Sequence, residues 1–358
     1  MVTSTVPDST PPNSDTTPDS TLSPAQQKLM AVGVRLGLVT LLAFFYVDGF
    51  LRGATPLEVV VFGLFALPLL AGLLHTVWEL PGPSMPSWAD AIASALGASA
   101  VAFIARAGHI EPVLAAAVVG VLGALPILPA SIRSVAAPIY VGAFAGMTSP
   151  LVLAHPGWIA LAGAVAGLLY SLLRSTWIGV GGKLGFLAFT GVSFAALIAD
   201  RVGASPGGAK LLQLQTADHL AILVVAPLAA LATYEVQRHL RWSPVLASAS
   251  VTCAFVLAMV LVGAESLFVV APSAIACFGG SFIAMTGELH AASRPWLPAA
   301  GGLLYALLQI AFEPTLAGIG GDFGATAVVA VLVVLGIEKL VEPVLGATRR
   351  KRANSRID

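Results

Sequence analysis

The residues in this chain whose types could handle a solute occur twice. From Gly142 the sequence reads GAFAGMTSPLVLAHPGW, and from Gly280 it reads GSFIAMTGELHAASRPW. Without a gap, Gly142, Phe144, Met147, Thr148, Leu151, Ala154 and Trp158 match Gly280, Phe282, Met285, Thr286, Leu289, Ala292 and Trp296. Each copy combines small residues, an aromatic ring, a thioether and a hydroxyl. Thr148 and Thr286 would offer hydroxyls to a solute, and Gly142, Gly146, Gly279 and Gly280 would let backbones approach closely. Gly142, Phe144, Met147, Thr148, Gly280, Phe282, Met285 and Thr286 are therefore the candidate lining of a solute pathway. Plain helix packing through small residues competes with this, and for the glycines it is the better reading. Because the polar threonine is repeated as well, cavity lining is favoured for the two segments as wholes.

Both copies run on into Gly-Leu-Leu-Tyr, at Gly167–Tyr170 and Gly302–Tyr305, and then into a Gly-Gly-x-x-Gly loop. The loops are Gly181-Gly182-Lys183-Leu184-Gly185 and Gly320-Gly321-Asp322-Phe323-Gly324. They fit helix-start turns that need positive φ, or backbone nests for an anion or a substrate oxygen. A nucleotide-phosphate loop is disfavoured, since the strand and the Lys-Ser/Thr of that motif are missing. Lys183 and Asp322 occupy matching places with opposite charges and are the candidate gates; a solvated loop charge at each is the better-supported alternative.

Other chemistry finds little material. His75, His109, His155, His219, His239 and His290 form no pair on one helical face, so no metal site is expected, and no cofactor. Cys253 and Cys277 sit in apolar runs and read as small buried hydrophobes, with no disulfide. Arg35, Arg106, Asp200, Glu265 and Glu288 lie near run ends, where snorkelling to water explains them. Glu338, Lys339 and Glu342 suit anchoring at a membrane face, and no carboxylate stands out at mid-helix as a proton relay.

The elements that would hold these residues are apolar. Of 358 residues, 57% are hydrophobic and 10% charged, and the mean hydropathy is +0.91. Soluble domains carry roughly 25% charged residues, so lipid is the expected solvent and helices the expected spans. Apolar runs fall near 29–50, 57–77, 90–108, 112–128, 136–150, 158–174, 185–201, 217–240, 246–264, 269–286, 297–313 and 323–346. The runs from Ala136 and Val269 are short and begin near Pro138 and Pro272, as tilted, broken or re-entrant helices do. The expected fold is thus an all-α integral membrane protein of about twelve transmembrane helices.

If all twelve runs cross, Arg133, Arg174, Lys183, Arg238, Arg241 and Arg294 fall on the side of the basic C-terminus. Arg52, Arg106, Arg201 and Lys210 fall opposite. The positive-inside rule then puts both termini in the cytoplasm of a cell membrane. Five crossings separate the matched segments, so they face opposite ways: an inverted five-helix repeat preceded by two extra helices. The expected divisions are a disordered polar tail over 1–24, two helices over 25–89, repeats over 90–205 and 206–346, and a basic tail over 347–358. In architecture alone this bundle resembles the urea-transporter type of ten-helix repeat and other inverted-repeat carriers. That resemblance carries no residue assignments.

The leading functional expectation is a transporter or channel for a small polar or neutral solute, with lipid and that solute as partners. Nucleic acid is not expected, and a homo-oligomer is left open. A membrane enzyme using Asp48 on a lipid-linked substrate, or a subunit of a larger complex, are the rival readings; one carboxylate is thin support for acid–base chemistry.

Overall fold

The computed structural model describes residues 24–52, 56–78, 84–203, 215–262, 270–287, 296–316 and 318–354. The polar tail expected over 1–24 lies outside these residues, save Pro24, as do Glu265, Glu288, His290 and Arg294. Among the described residues there is helix and no strand. The helices are α1 (Pro24–Arg52), α2 (Pro56–Trp78), α3 (Trp88–Ala107), α4 (Pro112–Ala124), a single turn α5 (Ala130–Arg133), α6 (Ala136–Gly146) and α7 (Pro156–Leu172). They continue with α8 (Lys183–Arg201), α9 (Thr216–Leu240), α10 (Pro244–Leu261), α11 (Val270–Ile283), α12 (Leu297–Leu316) and α13 (Asp322–Asn354). Each apolar run of the sequence is one of these helices.

Local chemistry sets the starts. Proline stands at the first position of α4, α7 and α10, where its missing N–H is no loss. The preceding side chains cap the free N–H groups: Glu111 accepts from Leu114 N at 2.8 Å, His155 Nδ1 from Gly157 N at 3.0 Å, and Ser243 from Leu246 N at 3.3 Å. His155 is thus a helix cap.

Among the described residues, six helices are long and apolar enough to cross a membrane: α2, α3, α8, α9, α10 and α13. α4, α6, α7, α11 and α12 contain shorter apolar helices. At about 1.5 Å per residue, α6 reaches about half and α11 about two-thirds of a roughly 30 Å hydrocarbon layer. Large apolar side chains such as Phe44, Phe103, Leu197, Leu228 and Leu261 point outward, as a lipid solvent allows and water does not.

Two groups of helices pack alike. α3 lies against α6 and α7, and α9 lies against α11 and α12. Between the groups α4 meets α10 and α8 meets α13, while α2 packs on α13. Of the six long apolar helices α13 is the most enclosed, with every residue from Ala325 to Leu335 buried.

Burial pushes the Glu111 carboxyl up to about 7, against the pull of the Leu114 and Val113 N–H groups. A value raised on folding means the folded chain holds the extra proton. Its stabilising effect is full below the unfolded value of about 4.5 and is lost as pH rises through about 7. The melting temperature of the solubilised protein should fall across that interval, and Glu111→Gln should flatten the fall; an unchanged slope would place the titration elsewhere.

Candidate solute pathway

The matched segments end α6 and α11, and their rings meet. Phe144 and Phe282 lie 5.0 Å apart between centroids, flanked by Tyr140 at 4.3 Å from Phe144 and Phe278 at 4.8 Å from Phe282. The glycines seat these helices on their neighbours. A Cβ on Gly142 would fall 1.8 Å from Ser94 O of α3, and one on Gly280 would fall 2.3 Å from Ala226 O of α9. Both glycines therefore serve packing, the better of their two readings.

The threonines turn to the chain itself. Thr148 Oγ1 donates to Ala145 O at 2.6 Å and accepts from Gly320 N at 3.2 Å. Thr286 Oγ1 donates to Ile283 O, and a Cβ on Gly181 would lie 2.8 Å from it. Both side chains are buried. Their hydroxyl protons are taken up by the last turns of α6 and α11.

Each Gly-Gly-x-x-Gly loop closes on the segment of the other copy. A Cβ on Gly320 would lie 2.3 Å from Phe144 O, and one on Gly181 would lie 2.3 Å from Phe282 O. Ser149 N donates to Gly318 O at 2.9 Å, and Gly287 N to Gly179 O at 3.0 Å. Gly182 and Gly321, at φ of +84° and +91°, then turn the chain into α8 and α13. The first turns of these helices cross antiparallel. Gly185 meets Gly324, Gly182 lies beside Val328, and Gly321 lies beside Phe189.

The Gly-Leu-Leu-Tyr match is displaced by one helical turn. Gly302 packs on Ala226 O and Ala230, and Gly163 packs on Ser94 O and Ala98 in the same manner. Gly163, not Gly167, therefore holds the corresponding place.

A cavity of about 280 Å³ reaches the aromatic pair from the α7–α8 connection. Phe144, Phe282, Met285 and Lys183 line it; Gly142, Met147, Thr148, Gly280, Thr286 and Asp322 do not. Lys183 Nζ donates to Leu173 O and Thr176 O, each at 2.6 Å, and to Arg174 O at 3.2 Å. It caps the C-terminal end of α7, where a cation meets the helix dipole favourably. Arg174 also lines the cavity; it pairs with buried Asp90 and stacks over Tyr170 at 5.5 Å.

Asp322 is buried at the start of α13, its Oδ1 accepting from Phe323 N at 2.8 Å. Neither Lys183 nor Asp322 is the solvated loop charge that its position in the sequence favoured. The loops fold inward against helix ends, and that depth is invisible in composition. Arg106 likewise does more than snorkel, donating to Leu153 O at 2.7 Å and Ala154 O at 2.8 Å.

Two features escaped the sequence. Tyr140, Ser248 and Ser281 form a buried hydroxyl chain with steps of 3.2 and 2.7 Å across α6, α10 and α11. Trp177, a cavity-lining residue, sits at φ +49° with its buried Nε1 unpartnered. Positive φ at a non-glycine residue has no sequence signature. Among the described residues, no three His, Cys, Asp or Glu side chains cluster to hold a metal.

No protein-family model, curated protein or solved structure matches the chain. Among the described residues, the class defined by the fold is an all-helical protein with six helices able, by length and composition, to span a membrane.

Gly320→Ala and Gly181→Ala should each destabilise by about 1–3 kcal/mol, because backbone carbonyls opposite cannot yield. Gly33→Ala, with nothing within 4 Å of its Cβ, should not. Thermal melts of the three variants test this; equal melting temperatures would mean the loops do not close on α6 and α11.

Proposed function

We propose that this chain is a multi-pass membrane transporter or channel for a small polar or neutral solute, built from two inverted five-helix repeats. α3, α4, α6, α7 and α8 form the first repeat, and α9 to α13 the second. α1 and α2 precede them. The observation that carries the proposal is the reciprocal closure of the two loops, Gly320 on Phe144 and Thr148, Gly181 on Phe282 and Thr286. Exchange of equivalent contacts between copies is what a two-fold relation requires, and the alike packing of the two helix groups supports it. So does the left-handed backbone of His109 and Arg241, at φ +52° and +53°, in the α3–α4 and α9–α10 connections.

An inverted repeat puts its axis in the membrane plane, with the site where the repeats meet. That meeting point is the Phe144–Phe282 pair, at the end of the cavity. The basic residues on the C-terminal side support a cell-membrane location with both termini cytoplasmic. Lys183 and Arg174 at the cavity disfavour a cation, and Asp90 and the α7 carbonyls already engage both charges. A small solute without net charge fits such a wall best.

Flux into proteoliposomes across a panel of small solutes tests the reading. One solute class should enter, and Phe144→Ala with Phe282→Ala should change its rate at least several-fold while Gly33→Ala leaves it unaltered. No flux of any solute through intact, inserted protein would sink the proposal.

A further inference from the structure

We infer that Asp322 is an intramembrane proton-exchange site, so that the carrier of the preceding section couples its solute to protons. The inference rests on that reading for the coupling and for the depth of the site in the membrane, while the burial of Asp322 stands by itself. α8 and α13 cross at Gly185 and Gly324, two residues inside Lys183 and Asp322. At 1.5 Å per residue, each charged residue lies about 3 Å along its helix from the crossing. If the crossing marks the axis of the inverted repeat, both are near the bilayer midplane, where an ionisable residue is rare and functional by default.

The two matching positions are treated differently. Lys183 has its ammonium held by three carbonyls at the end of α7, and it can do nothing more without releasing them. An ionised carboxylate has no proton to donate to carbonyls. Asp322 instead holds the N–H of Phe323 and, among the described residues, has no ion-pair partner.

Its surroundings can be named element by element. α13 packs on α2, α8, α11 and α12. From α12 comes Tyr305, buried and within electrostatic reach of Asp322; from α11 comes Cys277, whose influence falls on Tyr305. From α8 comes Lys183, already engaged. On α2, His75 lies a turn beyond Gly72, which meets α13 at Gly336, far from Asp322. Tyr305 Oη donates to Gln309 Oε1 at 2.9 Å, and Gln309 is partly exposed. In this inference the hydrogen-bonded Tyr305–Gln309 pair is the path by which water reaches Asp322. A carboxyl buried without a counter-ion is cheaper neutral than charged. Opening that path to water therefore changes its proton occupancy: a proton leaves the carboxyl oxygen for water when the site is hydrated and returns when it closes.

Acid-minus-alkaline infrared difference spectra of the full chain in liposomes read this without any solute. The wild type should show a titrating protonated-carboxyl C=O band that is lost in Asp322→Asn and shifted in Asp322→Glu. A band unchanged in both variants overturns the site; if Asp322→Asn does not fold, Asp322→Glu alone decides by the presence or absence of the shift. Coupling is read separately, as solute accumulation driven by a pH gradient and lost in Asp322→Asn. Flux indifferent to the gradient overturns the coupling and leaves the transport reading intact. Band loss without flux of any solute keeps the proton site and overturns both coupling and transport.

Discussion

The fold depends on backbone meeting backbone where α8 and α13 begin. Gly185 and Gly324 touch with no side chain between them, and Gly182 and Gly321 turn the chain into the two helices at positive φ. A Cβ at any of these four positions would collide with main-chain atoms, which cannot rotate away. The contact brings two helix N-termini side by side, and the loops ahead of them reach the ends of α6 and α11. Those short helices end there because the chain must turn at Met147–Thr148 and Met285–Thr286 to receive the loops. Phe144 and Phe282 face one another as a result.

The same arrangement explains how polar groups survive in so apolar a chain. The carbonyls freed at the ends of α6 and α11 take the hydroxyl protons of Thr148 and Thr286, and those at the end of α7 take the Lys183 ammonium. In lipid these groups have no water to fall back on, so internal partners are obligatory. The proposed pathway is built from what remains: two rings, a thioether and the cavity beside them.

Much of this was legible in the sequence, and the rest was not, for identifiable reasons. Apolar runs marked every long helix, because hydrophobic length is a direct requirement of the lipid solvent. The matched segments stood out because both copies must seat a short helix and end it. The Gly-Leu-Leu-Tyr identity misled by one turn: Gly163 and Gly167 both contact α3, and only three-dimensional packing tells which corresponds to Gly302. Residue type alone could not say whether a threonine hydroxyl turns to solute or to carbonyl. Nor could it say that, flanked by glycines as in a surface loop, Lys183 lies half-buried and Asp322 buried. The Tyr140–Ser248–Ser281 chain joins residues too distant in sequence to be associated by spacing.

The proposed inverted repeat is tested most directly by which side of the membrane each connection faces. Single cysteines at Ile110→Cys and Trp242→Cys, in the matching α3–α4 and α9–α10 connections, can be labelled with a membrane-impermeant thiol reagent. Cys253 and Cys277 are removed beforehand. Two inverted repeats predict labelling of Ile110→Cys from outside and of Trp242→Cys from the cytoplasmic side. Labelling of both from the same side would contradict the inversion, and with it the site placed where the repeats meet.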